Sequence, residues 1–266
     1  MNVLNSISHS EIFYSCTEKD YRSAEHFIPE HGLTHVYSGK IVASSADKLY
    51  TVAEGETVLF SRNQLAKFSK YPQGEAPCKS ITIVFTQPFL QKYYSTHPVI
   101  AQDSKPGKLK SFDKHPLLDS LFNSILPYYE LEGSLPKDLM DMKLMEAITI
   151  LRKIDSTTDG ILSDFAEPGK LDIVDFMNKN YAFNIPVERF AYLTGRSLAT
   201  FKRDFQKAFN TSPQRWLQQK RLEQAHFLIA EKKQRPSDVY VEVGFENLSH
   251  FSFAFKQAFG YNPSSL

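Results

Sequence analysis

Between Glu11 and Thr86 the apolar positions come in short runs rich in β-branched and aromatic residues. Lys48–Val52, Glu56–Phe60 and Ile81–Phe85 read as strands of this kind. Turn signals punctuate them at Ser38-Gly39, Glu54-Gly55 and Pro72-Gln-Gly74. Short strands at this spacing predict a small antiparallel sandwich or barrel. From Gln87 the period changes. Pro88 opens a short helix through Tyr94, while Ser95–Asp113, with Pro98, Pro106 and Gly107, reads as a loop. Pro116–Tyr129 and Pro136–Lys153 read as amphipathic helices. In the second, Leu139, Met142, Leu144, Met145, Ile148 and Leu151 form a broad apolar stripe. The stripe predicts packing on the sheet, a dimer seam, or both on different faces. Thr157-Thr-Asp-Gly160 and Pro168-Gly169 mark an interdomain linker. The expected organisation is a domain over 1–155 (strands about 11–86, helices about 88–154), a linker over 156–169, and an all-helical domain over 170–266.

The helical part carries an internal repeat. Leu198-Ala-Thr-Phe-Lys-Arg-Asp-Phe-Gln-Lys-Ala-Phe-Asn-Thr-Ser-Pro213 is matched by Leu248-Ser-His-Phe-Ser-Phe-Ala-Phe-Lys-Gln-Ala-Phe-Gly-Tyr-Asn-Pro263. Leu198, Phe201, Phe205, Ala208 and Phe209 recur as Leu248, Phe251, Phe255, Ala258 and Phe259, always 50 positions on. Spacings of three and four place these residues on one helical face, which is core, and leave the other face free. Each copy ends in a residue that tolerates the left-handed conformation, Asn210 or Gly260. Each then restarts with an N-cap and a proline, Ser212-Pro213 or Asn262-Pro263. Upstream lie a short helix and a glycine: Val187–Leu193 with Gly195, and Ser237–Val243 with Gly244. Helix, short glycine-containing turn and second helix make a helix-turn-helix unit, with Ser197 and Asn247 (or Glu246) as N-caps of the second helices.

Pro213–Glu231 joins the two units and, as a helix, would span roughly 28 Å. One turn of DNA is roughly 34–36 Å, so such a connector can set two recognition helices in successive major-groove segments. Charge distribution adds to this picture. The net charge is only +1, yet Arg196–Arg235 holds ten basic residues against three acidic ones. That excess fits a polyanionic partner, or a solvated helical face. Cys16 and Cys78 cannot build a disulfide framework and fit a reducing compartment. The first twenty residues lack an apolar leader core, and no apolar run approaches the roughly 20 residues of a membrane span. A cytoplasmic protein without a membrane partner is expected.

Val243-Gly-Phe-Glu-Asn-Leu-Ser-His-Phe-Ser-Phe-Ala-Phe-Lys-Gln-Ala-Phe-Gly-Tyr-Asn-Pro263 resembles the signature of the AraC/XylS transcription regulators, and Arg221–Ile229 resembles that family's connecting helix. The first half is similar in outline to the family's cupin-like regulatory domain followed by dimerising helices. The resemblance implies a sequence-specific regulator that binds double-stranded DNA, senses a small-molecule or protein effector, and forms a homodimer through the N-terminal helices. It also implies where bases are read. In the first unit the exposed face holds Ala199, Thr200, Lys202, Arg203 and Gln206; Lys202 and Arg203 can donate to guanine, and Ala199 or Thr200 can meet a thymine methyl. In the second the matching face holds Ser249, His250, Ser252, Phe253 and Lys256, with Phe253 where the family usually has arginine. Phosphate contacts are expected around Ser197 and Asn247 at the helix starts, with Arg196, Lys207, Arg215 and Lys220 as further candidates. Arg221 lies on the apolar side of the connector with Leu222 and Ala225 and reads as a structural arginine.

Other chemistry finds little support. His26, His31 and His35 lie within ten residues but lack a His-x-His pairing and a following carboxylate, so no metal is expected. There is no phosphate-cradling glycine loop, Cys-x-x-Cys or nucleophile elbow, so neither an enzyme nor a cofactor is expected. Tyr14, Tyr37, Tyr50 and Phe60 are candidates to line an effector cavity, against a plain core role. The alternative to an effector-responsive regulator is an interaction protein, or a regulator whose first domain only dimerises or binds a partner protein.

Overall fold

The computed structural model describes residues 11–22, 27–46, 48–100 and 107–266. Its first half is built from β1 (Ile12–Thr17), β2 (Tyr21–Arg22), β3 (Phe27–Ile28), β4 (His31–Ser38), β5 (Lys40–Ser44), β6 (Leu49–Val52), β7 (Thr57–Phe60), β8 (Gln64–Leu65), β9 (Lys67–Tyr71), β10 (Cys78–Phe85), α1 (Gln87–Thr96), β11 (Leu109–Phe112), α2 (Pro116–Leu131), α3 (Lys137–Ile154) and α4 (Thr158–Leu162). The second half is helical: α5 (Ile173–Asn180), α6 (Val187–Leu193), α7 (Leu198–Phe209), α8 (Pro213–Ala230), α9 (Pro236–Glu242), α10 (Leu248–Phe259) and a closing 3₁₀ turn at Pro263–Ser265.

The strands form a five-stranded sheet, β1-β10-β4-β7-β11, and a four-stranded sheet, β2-β9-β5-β6, with antiparallel pairing throughout. Alternation along each strand sends side chains to two cores. Val36, Val58, Phe60 and Cys78 of the larger sheet meet Ile41, Ala43 and Val52 of the smaller one, which makes the sandwich interior. Leu33, Leu59, Ile81, Ile83 and Phe85 point the other way and pack under Leu121, Phe122, Leu144, Ile148 and Leu151 of α2 and α3. The expected apolar stripe of α3 therefore divides. Leu144, Ile148 and Leu151 are buried, whereas Met142 and Met145 face outward.

Two expectations for this half need correction. The stretch from Ser95 to Asp113 is not all loop: Leu109–Phe112 forms β11, which pairs in register with Phe60–Thr57 at the sheet edge. The linker does not begin at 156, because α4 buries Thr158, Asp159, Ile161 and Leu162 in the first core. Asp159 is there for a polar reason. It pairs with Arg152 Nε at 2.9 Å, accepts from the Tyr94 hydroxyl at 2.8 Å and from the Ile100 N–H at 2.8 Å, so a fully buried carboxylate is satisfied on both oxygens.

His31 and His35 are held within the first half of the fold. His31 accepts from the Arg62 N–H through Nδ1 at 3.2 Å, and burial, with Arg62 alongside, pulls its pKa down to about 3, so the ring is neutral. His35 bonds Thr57 Oγ1 at 2.9 Å and stacks on Phe122. His26 lies outside the described residues, and among those described no three His, Cys, Asp or Glu side chains gather as a metal site. Among the described residues no helix is long and apolar enough to cross a membrane. The four aromatic candidates for an effector cavity separate as well. Tyr14 stacks on Tyr129 and Tyr37 donates to the Phe122 carbonyl at 2.6 Å, so both lie under α2. Tyr50 and Phe60 belong to the sandwich interior, where the Phe60 ring meets Phe68 edge-on.

The halves touch through β3, β8 and the start of β9. Leu65 is buried in the same core as Phe190 and Ala191 of α6, and Phe27 lies edge-on to Tyr192 and beneath the Arg189 guanidinium. Arg62 donates to the Phe165 and Ala166 carbonyls of the connecting segment. Lys67 donates to the Glu242 carbonyl at 2.6 Å, at the end of α9, and passes over the Phe183 ring. Burial pulls the Lys67 pKa down to about 8, an effect that Glu242 offsets and Arg221 reinforces. The unfolded chain holds this proton up to the ordinary lysine value of about 10.4. Between pH 8 and that value the unfolded state therefore binds more protons, and stability rises with pH. Relative to Lys67→Met, the wild-type chain gains up to roughly 3 kcal/mol across this window. Urea unfolding at several pH values, followed through the fluorescence of the single tryptophan, Trp216, measures it. Parallel pH profiles for the two proteins would contradict the burial of Lys67.

Candidate nucleic-acid interface

The first unit is α6, a turn and α7. Phe190 and Ala191 of α6 pack against Phe201 and Phe205 of α7, all essentially excluded from solvent. Thr194 closes α6 by donating from Oγ1 to the Phe190 and Ala191 carbonyls. Gly195 follows in the left-handed region (φ 66°), and a Cβ there would lie 2.6 Å from the Gly169 carbonyl, so the turn needs glycine for both conformation and space. Ser197 then caps α7: its hydroxyl accepts from the Thr200 N–H at 3.3 Å and donates to Thr200 Oγ1 at 3.0 Å. Asn210 ends the helix with φ 53°.

The second unit repeats this with different residues. Val239 and Val243 pack against Phe251, Ala254 and Phe255. Gly244 turns the chain at φ 95°, where a Cβ would meet the Ala182 carbonyl at 2.7 Å. Asn247 accepts from the His250 N–H at 2.7 Å and caps α10, which Gly260 ends at φ 86°. The two second helices have the same length, 12 residues, and the same cap geometry, a side-chain acceptor for an N–H three residues on and a left-handed terminus.

Helix α8 serves both units in turn. Pro213, Trp216 and Leu217 are buried towards the first unit; Leu222, Ala225, Leu228 and Ile229 are buried towards the second. Each end offers one ring to a phenylalanine pair. Trp216 lies 5.7 Å from Phe205 and 4.7 Å from Phe209, and His226 lies 6.1 Å from Phe255 and 4.8 Å from Phe259. Between them Arg221 donates from Nε to the Tyr181 carbonyl and from Nη2 to the Phe183 carbonyl, both at 2.9 Å. Burial lowers its pKa to about 10, and Glu246 partly restores it. The Gly244 turn approaches the same guanidinium, and Asn184 donates to Glu246 at 3.0 Å, so α8 and both units meet at one polar knot.

Within this frame Ala199, Lys202, Arg203, Gln206 and Lys207 are exposed along α7, with Thr200 half-buried. Ser249, His250, Phe253 and Lys256 are exposed along α10, with Ser252 half-buried. Each set lies opposite the buried phenylalanines of its helix. The Arg203 side chain is 66% exposed, with only a long 3.7 Å approach to Asp204, so its guanidinium is available to a partner. Arg215 is also exposed, whereas Lys220 pairs with Glu223 at 3.0 Å. Arg196 departs from the expected phosphate-binding role. Its side chain is 7% exposed, pairs with Asp204 at 3.1 Å and donates to the Leu171 and Thr194 carbonyls at 2.8 and 2.7 Å, so it ties α7 to the segment before α5. Asp204, whose carboxyl the Arg196 hydrogen bond holds below the usual range, is the partner that charge counting passes over. Arg221 has the structural role expected of it. Lys67 belongs to the frame too, and its contact spans 175 positions of sequence, which no local pattern signals.

Comparison with known proteins agrees with this geometry. Residues 190–266 match a family model described as a helix-turn-helix domain, and residues 31–159 match one described as the ExsA N-terminal regulatory domain. The chain is 26% identical to the thermoregulatory protein LcrF of Yersinia pestis, over 92% of this chain and 90% of the relative. It is 25% identical to the virulence regulon transcriptional activator VirF of Yersinia enterocolitica, over the same shares. It is 22% identical to the HTH-type transcriptional regulator ExsA of Pseudomonas aeruginosa, over 88% and 85%.

Replacing Arg221 by Ala removes two charge-assisted hydrogen bonds and strands two carbonyls, which is expected to lower the stability of the helical half by about 1.5–3 kcal/mol. Arg203→Ala, on the exposed face, is expected to change it by less than about 0.5 kcal/mol. Denaturant midpoints read through Trp216 distinguish the two, and equal losses would contradict this division of roles.

Proposed function

Because the chain belongs to the AraC family of DNA-binding transcriptional regulators, we propose that its helical half lays α7 and α10 into successive major-groove segments on one face of a duplex. One observation carries this reading. Two equal helices bury matching phenylalanine faces and expose the corresponding opposite positions 50 residues apart, held by the single helix α8. At 18 residues α8 spans roughly 27 Å, a length suited to neighbouring turns of the groove. Arg203 and Lys202 read guanine edges; Ala199 and the Thr200 methyl meet thymine methyls. The N–H groups at the starts of α7 and α10, beside Ser197 and Asn247, receive phosphates, with Lys207, Lys256 and Arg215 alongside.

We take the sheet-rich half as the regulatory part, acting in the cytoplasm. Tyr50 and Phe60 are the candidates that remain for an effector within the sandwich. Leu117, Leu131, Met142 and Met145 are exposed apolar side chains on α2 and α3 and form the surface through which two copies pair. The contacts of Leu65, Phe27 and Lys67 with the helical half supply a path by which occupancy or pairing changes the orientation of the reading helices. The likeness to VirF, named a transcriptional activator, favours activation over repression as the outcome.

A duplex selected by the full-length protein from a random pool tests the reading. Affinity is expected to fall by about 10²- to 10³-fold between 50 and 200 mM salt, as for a protein that neutralises about five phosphates. Arg203→Ala is expected to weaken the selected duplex about 10- to 100-fold and random DNA far less. Salt-independent binding would overturn the DNA-binding geometry. Equal losses on both DNAs would move Arg203 from base reading to phosphate contact.

A further inference from the structure

We infer that the second unit reads its half-site through an apolar contact, with the Phe253 ring packed on thymine C5-methyl groups; this rests on the DNA-binding reading above. Helices α7 and α10 share their local design: equal length, a polar N-cap, a left-handed terminus and buried phenylalanines at matching positions. At the position 50 residues beyond Arg203 stands Phe253. Its flanking neighbours Phe251, Ala254 and Phe255 are buried, whereas Phe253 is 69% exposed. An exposed phenylalanine on this helix is not a core residue that has slipped outward, since the core positions are already filled. It stands where the first unit presents a guanidinium.

The surrounding face narrows what Phe253 can meet. Ser249, His250 and Lys256 are its exposed companions, and none carries the planar guanidinium fork that Arg203 presents in the first unit. The thymine methyl is the apolar group that base edges present in the major groove. An aromatic ring displayed among polar groups on a groove-facing helix is complementary to that methyl and to no other base-edge feature. Lys256, one turn along, is placed for the adjacent phosphate. The two half-sites are therefore unlike: the first adds guanine contacts from Lys202 and Arg203 to thymine-methyl contacts from Ala199 and Thr200, whereas the second depends on thymine through Phe253.

Deoxyuridine tests this directly, because it removes only the methyl. Duplexes selected from a random pool by the full-length protein are remade with each thymine of the second half-site replaced by deoxyuridine. The wild-type protein is expected to bind about fourfold more weakly for each contacted methyl lost, the change that corresponds to one buried methyl-sized group. Phe253→Ala is expected to bind thymine and deoxyuridine duplexes equally, Phe253→Leu to keep most of the discrimination, and Phe253→Arg to select guanine instead. Thermal melting of all three variants should match wild type, because the side chain is exposed. A thymine-to-deoxyuridine ratio in Phe253→Ala equal to that of wild type would overturn the inference. So would a selected second half-site without thymine, which would leave Phe253 to a protein partner. Absence of salt-dependent binding to every duplex would instead overturn the proposed function itself.

Discussion

Arg221 leaves the middle of α8 to donate to the Tyr181 and Phe183 carbonyls, and the Gly244 turn rests against the same guanidinium. Each helix-turn-helix unit has its own phenylalanine core and is too small to fix the other by packing alone. What sets their separation and phase is the connector, which changes the side it buries halfway along: Trp216 and Leu217 towards one unit, Leu222, Ala225 and Ile229 towards the other. A half-buried cation that satisfies two backbone carbonyls makes the central joint directional, since apolar contacts would tolerate sliding that hydrogen bonds do not. Lys67 reaches this region from the sheet, so the sheet-rich half and the helical half share one junction.

The units share a frame and differ in what they display. The duplicated positions are those that geometry requires: the phenylalanines of the buried face, the glycine of each turn, the N-caps and the left-handed ends. The positions free of that requirement have diverged, with Lys202, Arg203 and Gln206 on α7 against Ser252, Phe253 and Lys256 on α10. Asn210 and Gly260 show the same freedom at a smaller scale, two solutions to one backbone conformation. An asymmetric reader follows from a symmetric fold.

Local, periodic features were legible in the sequence. The offset of 50, the caps at Ser197 and Asn247, the turns at Gly195 and Gly244, and the extent of α8 depend on neighbours within a few residues. What escaped depends on partners far along the chain. Arg196 reads as a free cation until Asp204 and two carbonyls are seen to surround it. Thr157-Thr-Asp-Gly160 has linker composition, yet Asp159 is drawn into the core by Arg152, Tyr94 and the Ile100 N–H. Leu109–Phe112 carries a weak strand pattern and becomes β11 because the edge of β7 lies open to it. Tyr14 and Tyr37 have the composition of a ligand cavity, but strand alternation sends them beneath α2 and leaves Tyr50 and Phe60 inside.

A rigid connector is the central claim, and half-site spacing is its most direct measure. In a duplex selected by the full-length protein, base pairs are inserted between the segments read by α7 and α10, and affinity is followed at fixed salt. With α8 held at roughly 27 Å, an insertion of about five base pairs, half a turn, should reduce binding to that of a single half-site. An insertion of about ten restores the phase but exceeds the reach of α8, so it should not recover the loss. Affinity that is indifferent to spacing would contradict the account, because it would mean that the two units move independently despite Arg221.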